Sequence, residues 1–198
     1  MGYPIREVIS LPYLIATFLL YSFFGFLLEV VYARLIHCPK KDRKCFLFLP
    51  LCPVYGFGAL AILSLPSWIH ANPLLLILFG GLAATAVEYL TALFYEFSLG
   101  VKFWDYSHLP GNLSGRVCLT FTFFWGVLAL ALVYWIHPLF QGFLYRLTPQ
   151  FLLLPFFLVA ADGILTLCLL HRTHNLDSLR WYAPLFPGAG PVVGEQNA

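Results

Sequence analysis

Apolar residues run along this chain in long, nearly unbroken stretches, not in the alternation of a half-buried strand or the one-sided stripe of a surface helix. A hydrocarbon layer about 30 Å thick needs about 20 mostly apolar residues to cross it. Five stretches reach that length, near 11–34, 47–69, 73–98, 117–137 and 151–171. Backbone polar groups in lipid must be satisfied internally, and these runs are too long for the alternating strands of a barrel, so each predicts a helix. The expected fold class is all-α: a polytopic transmembrane helical bundle of about five spans, forming one domain over 1–173. Segment 47–69 differs from the others, because Pro50, Pro53, Gly56 and Gly58 interrupt its start and predict irregular backbone before the helix sets in. The first stretch carries Glu29 and is too long for the apolar core of a signal peptide, so it reads as a retained helix. Residues 174–198, with Pro184, Pro187, Gly188, Gly190 and Pro191, read as a short flexible tail.

Composition agrees with lipid as the solvent. Of 198 residues, 61% are hydrophobic and 10% charged, and the mean hydropathy is +0.83. Soluble domains run near ~45–50% apolar and ~25% charged, so a self-enclosed soluble protein is excluded. A net charge of +2 gives no field that would argue for nucleic acid as a partner. The placement of charge says more. Arg34, Lys40, Lys41, Arg43 and Lys44 follow the first span, Lys102 and Arg116 the third, and Arg172 and Arg180 the fifth, while Arg6 and Arg146 lie opposite. The positive-inside rule then puts the N-terminus outside and the C-terminus in the cytoplasm.

Five of the nine acids, Glu29, Glu88, Glu96, Asp105 and Asp162, fall inside spans or at their cytoplasmic ends. An ionised side chain at mid-bilayer costs at least about 2.5–3.5 kcal/mol, so such groups face the bundle interior, a partner or water. On the third span Gly81, Thr85, Glu88, Ala92 and Glu96 share one face within about 80°. Ser22, Gly25, Glu29 and Ala33 form a similar small-and-acidic stripe on the first span, and the two stripes could pack face to face. Arg116 opens the fourth span and is placed to pair bidentately with Glu88, Glu96 or Asp105. Two readings stay open. One is a buried network fixing helix register; the other is a cytoplasm-facing polar cavity made by Glu29, Glu88, Glu96, Asp105, Arg116 and Asp162.

The segment 99–116 combines turn residues with aromatics. Trp104 and Tyr106 suit the membrane interface, and Asp105, Ser107 and Asn112 can organise a compact loop by hydrogen bonding. Cys38, Cys45, Cys52, Cys118 and Cys168 all fall on the cytoplasmic side, where thiols stay reduced, so no structural disulfide is expected. Cys168, His171, His174 and Asp177 recur every three residues, but an unligated cysteine followed by interfacial histidines is the commoner situation, and no metal is expected. His137-Pro138 reads as a helix terminus. No Gly-x-x-x-x-Gly-Lys-Ser/Thr phosphate loop and no Gly-x-Ser-x-Gly elbow occurs, so no cofactor is expected.

Tyr21-Ser-Phe-Phe-Gly-Phe-Leu-Leu-Glu29, Cys52-Pro-Val-Tyr-Gly-Phe-Gly58, Glu88-Tyr89, Phe103-Trp-Asp-Tyr-Ser107, Asn112-Leu-Ser-Gly-Arg116 and Phe124-Trp-Gly126 running to His137-Pro138 are specific taken together. With these motifs the chain resembles the putative type IV ABC-transporter permeases, the CmpB-like family. The resemblance implies a bacterial-type multi-pass protein of the cell membrane and a membrane transport component. It brings no established substrate or catalytic residue. An ATPase would have to be a separate subunit, and so few spans would call for a homo-oligomer. The alternative is a small membrane enzyme acting on a lipid-linked substrate, with Glu88 or Glu96 as general base, Asp105 as a second acid and Arg116 on a phosphate.

Overall fold

The computed structural model describes residues 10–35 and 45–181. Expectations resting on Arg6, Lys40, Lys41, Arg43, Lys44, Cys38 and the chain from 182 onward lie outside the described residues. Within them the protein is mostly helical, and four helices are long and apolar enough to cross a membrane: Leu11–Leu35, Pro73–Leu99, Leu119–Arg146 and Pro149–Thr173.

The first of these, α1 (Leu11–Leu35), is unbroken. Segment 47–69 behaves differently: Cys45 to Cys52 is not helical, α2 (Pro53–Leu63) has 11 residues, and α3 (Ser67–His70) is a single turn. The irregular start is the one its prolines predict, and the helical part falls short of a full span. The Cys52 N–H donates to the Ser22 carbonyl at 2.9 Å, so α2 begins beside the middle of α1.

α4 (Pro73–Phe94) starts on Asn72, whose side-chain oxygen accepts from the N–H groups of Leu74 and Leu75; Pro73 sits at the first position, where no donor is lost. The helix widens into a π-helical turn, Tyr95–Leu99, and stops at Gly100. α5 (Leu119–Ala131) passes through a second such turn, Leu132–Ile136, into α6 (His137–Arg146). The helix end expected at His137 is therefore overrun. Pro138 lacks an N–H, and the wider turn ahead of it respaces the carbonyls so that the helix carries on. α7 (Pro149–Thr173) follows, then a 3-10 turn at Leu176–Leu179.

α1 packs on α2, α2 on α4, and α4 on α5. The two small-residue stripes each seat a different neighbour. On α1, a Cβ at Gly25 would run into the Tyr55 ring of α2. On α4, a Cβ at Gly81 would come within 2.7 Å of the Thr122 carbonyl oxygen of α5, and Thr85 donates to Thr122 at 3.0 Å. The central core joins Tyr21, Ile62, Leu76, Ala84, Trp125 and Leu132. A second cluster, Tyr13, Ala16, Leu144 and Leu152, ties α1 to α6 and α7. A third, Leu99, Val101, Leu170 and Leu179, holds the residues after α7 against the end of α4.

Candidate functional site

Glu88 lies on the inward face of α4 with 5% of its surface exposed. Its two oxygens are held by different elements: the Tyr106 hydroxyl, from the segment after α4, donates to Oε1 at 3.0 Å, and the Trp125 indole of α5 donates to Oε2 at 3.0 Å. Both donors are neutral. The Trp125 ring packs on Tyr55 at 5.0 Å between centroids, and the Tyr55 hydroxyl donates to Glu29 Oε1 at 2.8 Å. Glu29 and Glu88 are thus joined through two aromatic side chains of α2 and α5. Burial, and after it the nearby Glu88 charge, pushes the Tyr106 phenol above its ordinary range, which keeps it a donor.

About two turns further on, in the π-helical turn that ends the helix, Glu96 takes the cation. Arg116 Nε and Nη2 both donate to Glu96 Oε2, at 3.0 and 2.5 Å, and the guanidinium lies over the Tyr89 ring. Of the three partners open to Arg116, the structure selects Glu96. Lys102 Nζ stands 3.8 Å from Glu96 Oε1 and 3.6 Å from Asp105 Oδ2.

These contacts work because the segment after α4 is tightly built. β1 (Asn112–Leu113) pairs antiparallel with β2 (Val117–Cys118). The turn between them places Ser114 and Gly115 at φ 54° and 70°, closed by the Arg116 N–H on the Leu113 carbonyl at 3.1 Å. Asn112 donates to the carbonyls of Ser107 and Leu109 and accepts from the Gly115 N–H, while the Trp104 indole donates to the Arg116 carbonyl at 2.8 Å. Asp105 Oδ1 accepts from the Ser107 N–H at 2.9 Å, and this bond, with Lys102 adding to it, holds its carboxyl below the usual range. Trp104, Asp105, Tyr106 and Asn112 are therefore all engaged in shaping or placing the loop.

Asp162 lies apart from the other acids. Buried on α7, it accepts from the backbone N–H groups of Phe48, at 3.0 Å, and Leu49, at 2.7 Å, both in the non-helical stretch before α2. Thr166, one turn on, accepts from the Leu47 N–H at 2.9 Å. A backbone segment with no helical acceptors of its own finds them on α7.

Three further groupings bear on chemistry. His137, inside a helix rather than at its end, is buried between the Tyr13 hydroxyl at Nε2 and the Tyr21 hydroxyl at Nδ1, each at 2.9 Å. Tyr13 and Tyr21, eight residues apart on α1, share a face, and that spacing was the available signal in the sequence. His171 and His174 meet the carbonyls of Ser98 and Leu99 through Nδ1, and no group of three metal-binding side chains occurs among the described residues. Two shallow crevices beside α1 and α7 are lined by apolar side chains such as Leu19, Phe57, Phe143 and Phe156, and the acids line neither. Tyr55 and Trp125 were not singled out from the sequence, although each falls within a quoted motif.

Compared with known proteins, the chain matches the model of the family described as putative ABC-transporter type IV over residues 16–167, most of its length. No curated protein and no solved structure matches it.

Proposed function

The chain belongs to the putative ABC-transporter type IV family, and from that premise we propose that it is a permease-like transport component of the cell membrane, energised by an ATPase on a separate chain. In this reading the protein crosses the membrane five times, with the N-terminus outside and the C-terminus in the cytoplasm. The second crossing is made by the short helix α2, entered through the irregular stretch Cys45 to Cys52, which folds back on itself ahead of it. Copies of the chain associate to complete a pathway.

The observation that carries the reading is Glu88, a carboxylate inside α4 held by two neutral donors while the neighbouring Arg116 is committed to Glu96. A structural ion pair would have used the cation. The two donors belong to different elements, so a shift of the loop 100–118 against α5 takes Tyr106 away from Glu88 and changes the polarity at the centre of the bundle. That loop faces the cytoplasm in the proposed orientation, where an ATPase would act on it. The enzyme alternative has less support, because two of the three Arg116 nitrogens, Nε and Nη2, are already engaged by Glu96.

The test is purification of the intact protein in mild detergent, with mass spectrometry of what accompanies it. A stoichiometric ATPase, whose activity is stimulated by the wild-type chain and not by Glu88→Gln, is the expected result. Recovery of the chain without any ATPase after cross-linking in native membranes, or unaltered stimulation by Glu88→Gln, overturns the proposal.

A further inference from the structure

We propose that Cys45 and Cys52 are a redox-active dithiol, closing reversibly to a disulfide by exchange with a low-molecular-weight disulfide such as oxidised glutathione. Both are thiols in the structure, and their sulfurs stand 3.1 Å apart. That is about 1 Å beyond the bonded length of ~2.05 Å.

The approach follows from how the chain between them is held. The Leu47 N–H is bound by Thr166, those of Phe48 and Leu49 by Asp162, and the Leu47 carbonyl accepts from the Trp181 indole at 3.1 Å. At the far end the Cys52 N–H is bound to Ser22. The backbone is fixed along the loop, so bond formation asks only for side-chain rotation. The two sulfurs also differ in access: Cys45 is half-buried and Cys52 fully buried. Cys45 is the sulfur an oxidant meets first, and Cys52 is the one that resolves the adduct. Cys52 further occupies the position that caps α2.

The chemistry balances without any group beyond the named oxidant. The Cys45 thiolate attacks one sulfur of the small disulfide, forming a mixed disulfide and releasing one thiolate. The Cys52 thiolate then attacks the Cys45 sulfur, forming the internal bond and releasing the second. The two protons from Cys45 and Cys52 finish on the two released thiols. The protein loses two electrons and the oxidant gains them. Since the stretch leads into α2, oxidation fixes a non-helical connection at the start of that helix. This inference is independent of what the protein transports.

The experiment uses the full chain in lipid nanodiscs, equilibrated in mixtures of reduced and oxidised glutathione, then alkylated and counted for thiols by mass. Wild type, and a variant with Cys38, Cys118 and Cys168 changed to Ser, should each lose two thiols and regain both with dithiothreitol. Non-reducing peptide mapping of wild type should show Cys45 linked to Cys52, a measurement that stands even if the triple variant folds poorly. Adding Cys52→Ser should halt the reaction at a glutathione adduct on Cys45. Full retention of both thiols in the most oxidising mixture, or linkage of either cysteine to a different one, overturns the proposal.

Discussion

At the scale of single residues, the acids of this protein divide by the chemistry of their partners. Glu96 is satisfied by charge, Glu88 by neutral donors, and Asp162 by backbone. Glu88→Gln leaves one acceptor oxygen where two donors converge and turns an amide N–H₂ toward the other donor, at a cost of about 1–3 kcal/mol. Glu29→Gln keeps an acceptor for Tyr55. Thermal unfolding in detergent should therefore fall further for Glu88→Gln, and transport-coupled activity should fall with it. Equal, near-neutral effects of both changes would remove Glu88 from consideration as a functional group. The turn after β1 gives a separate test. Gly115 has φ 70°, and a Cβ there would come within 2.7 Å of Asp105 Oδ1, so Gly115→Ala should loosen the loop and raise its rate of proteolysis. Ser114, at φ 54°, adopts a backbone conformation that glycine takes without strain, so Ser114→Gly should leave that rate unchanged or lower it.

At the scale of elements, the stretch Cys45 to Cys52 and α7 depend on each other. Asp162→Ala leaves the Phe48 and Leu49 N–H groups without their acceptor, at a cost of about 1–3 kcal/mol. Hydrogen exchange read at Phe48 and Leu49 should accelerate in that variant, with Asp162→Asn intermediate because one acceptor oxygen remains. Unchanged exchange at both amides would mean that the carboxylate is not their acceptor in the membrane. The break in this segment was legible in the sequence, because Pro50 and Pro53 cannot donate to a helix. Its repair by Asp162 was not legible, since hydropathy places an acid on a helix without saying what it binds. The π-helical turns were equally hidden: Pro138 suggested a terminus, and only the fold shows a helix that widens ahead of it and continues to Arg146. Among the candidate site residues, Arg116 could be assigned to three acids from spacing alone, and the packing of the loop decides for Glu96. Tyr55 and Trp125 went unnoticed because aromatic residues are abundant here and few of them reach the acids.

At the scale of the whole molecule, four long helices and one broken segment form the bundle, and the all-helical character follows from long apolar runs that lipid permits in few other forms. Which side each end faces rests on the distribution of Lys and Arg. In a background without native cysteines, His108→Cys and Gln150→Cys place one thiol at each end of the helix Leu119–Arg146. In sealed right-side-out vesicles an impermeant maleimide should label Gln150→Cys and spare His108→Cys until the membrane is opened. The reverse pattern would invert the proposed orientation.

The contact between Asp162 and the stretch before α2 also has a consequence in time. Leu49 leaves the ribosome 113 residues ahead of the carboxylate that will bind it. Until the last long helix is synthesised, the nascent chain holds a short apolar segment whose backbone donors have no partner, and such a segment is a poor substrate for stable insertion on its own. Synthesis halted before α7 should leave that segment unsettled or in the care of the insertion machinery, so maturation of the stretch before α2 is gated by the arrival of α7.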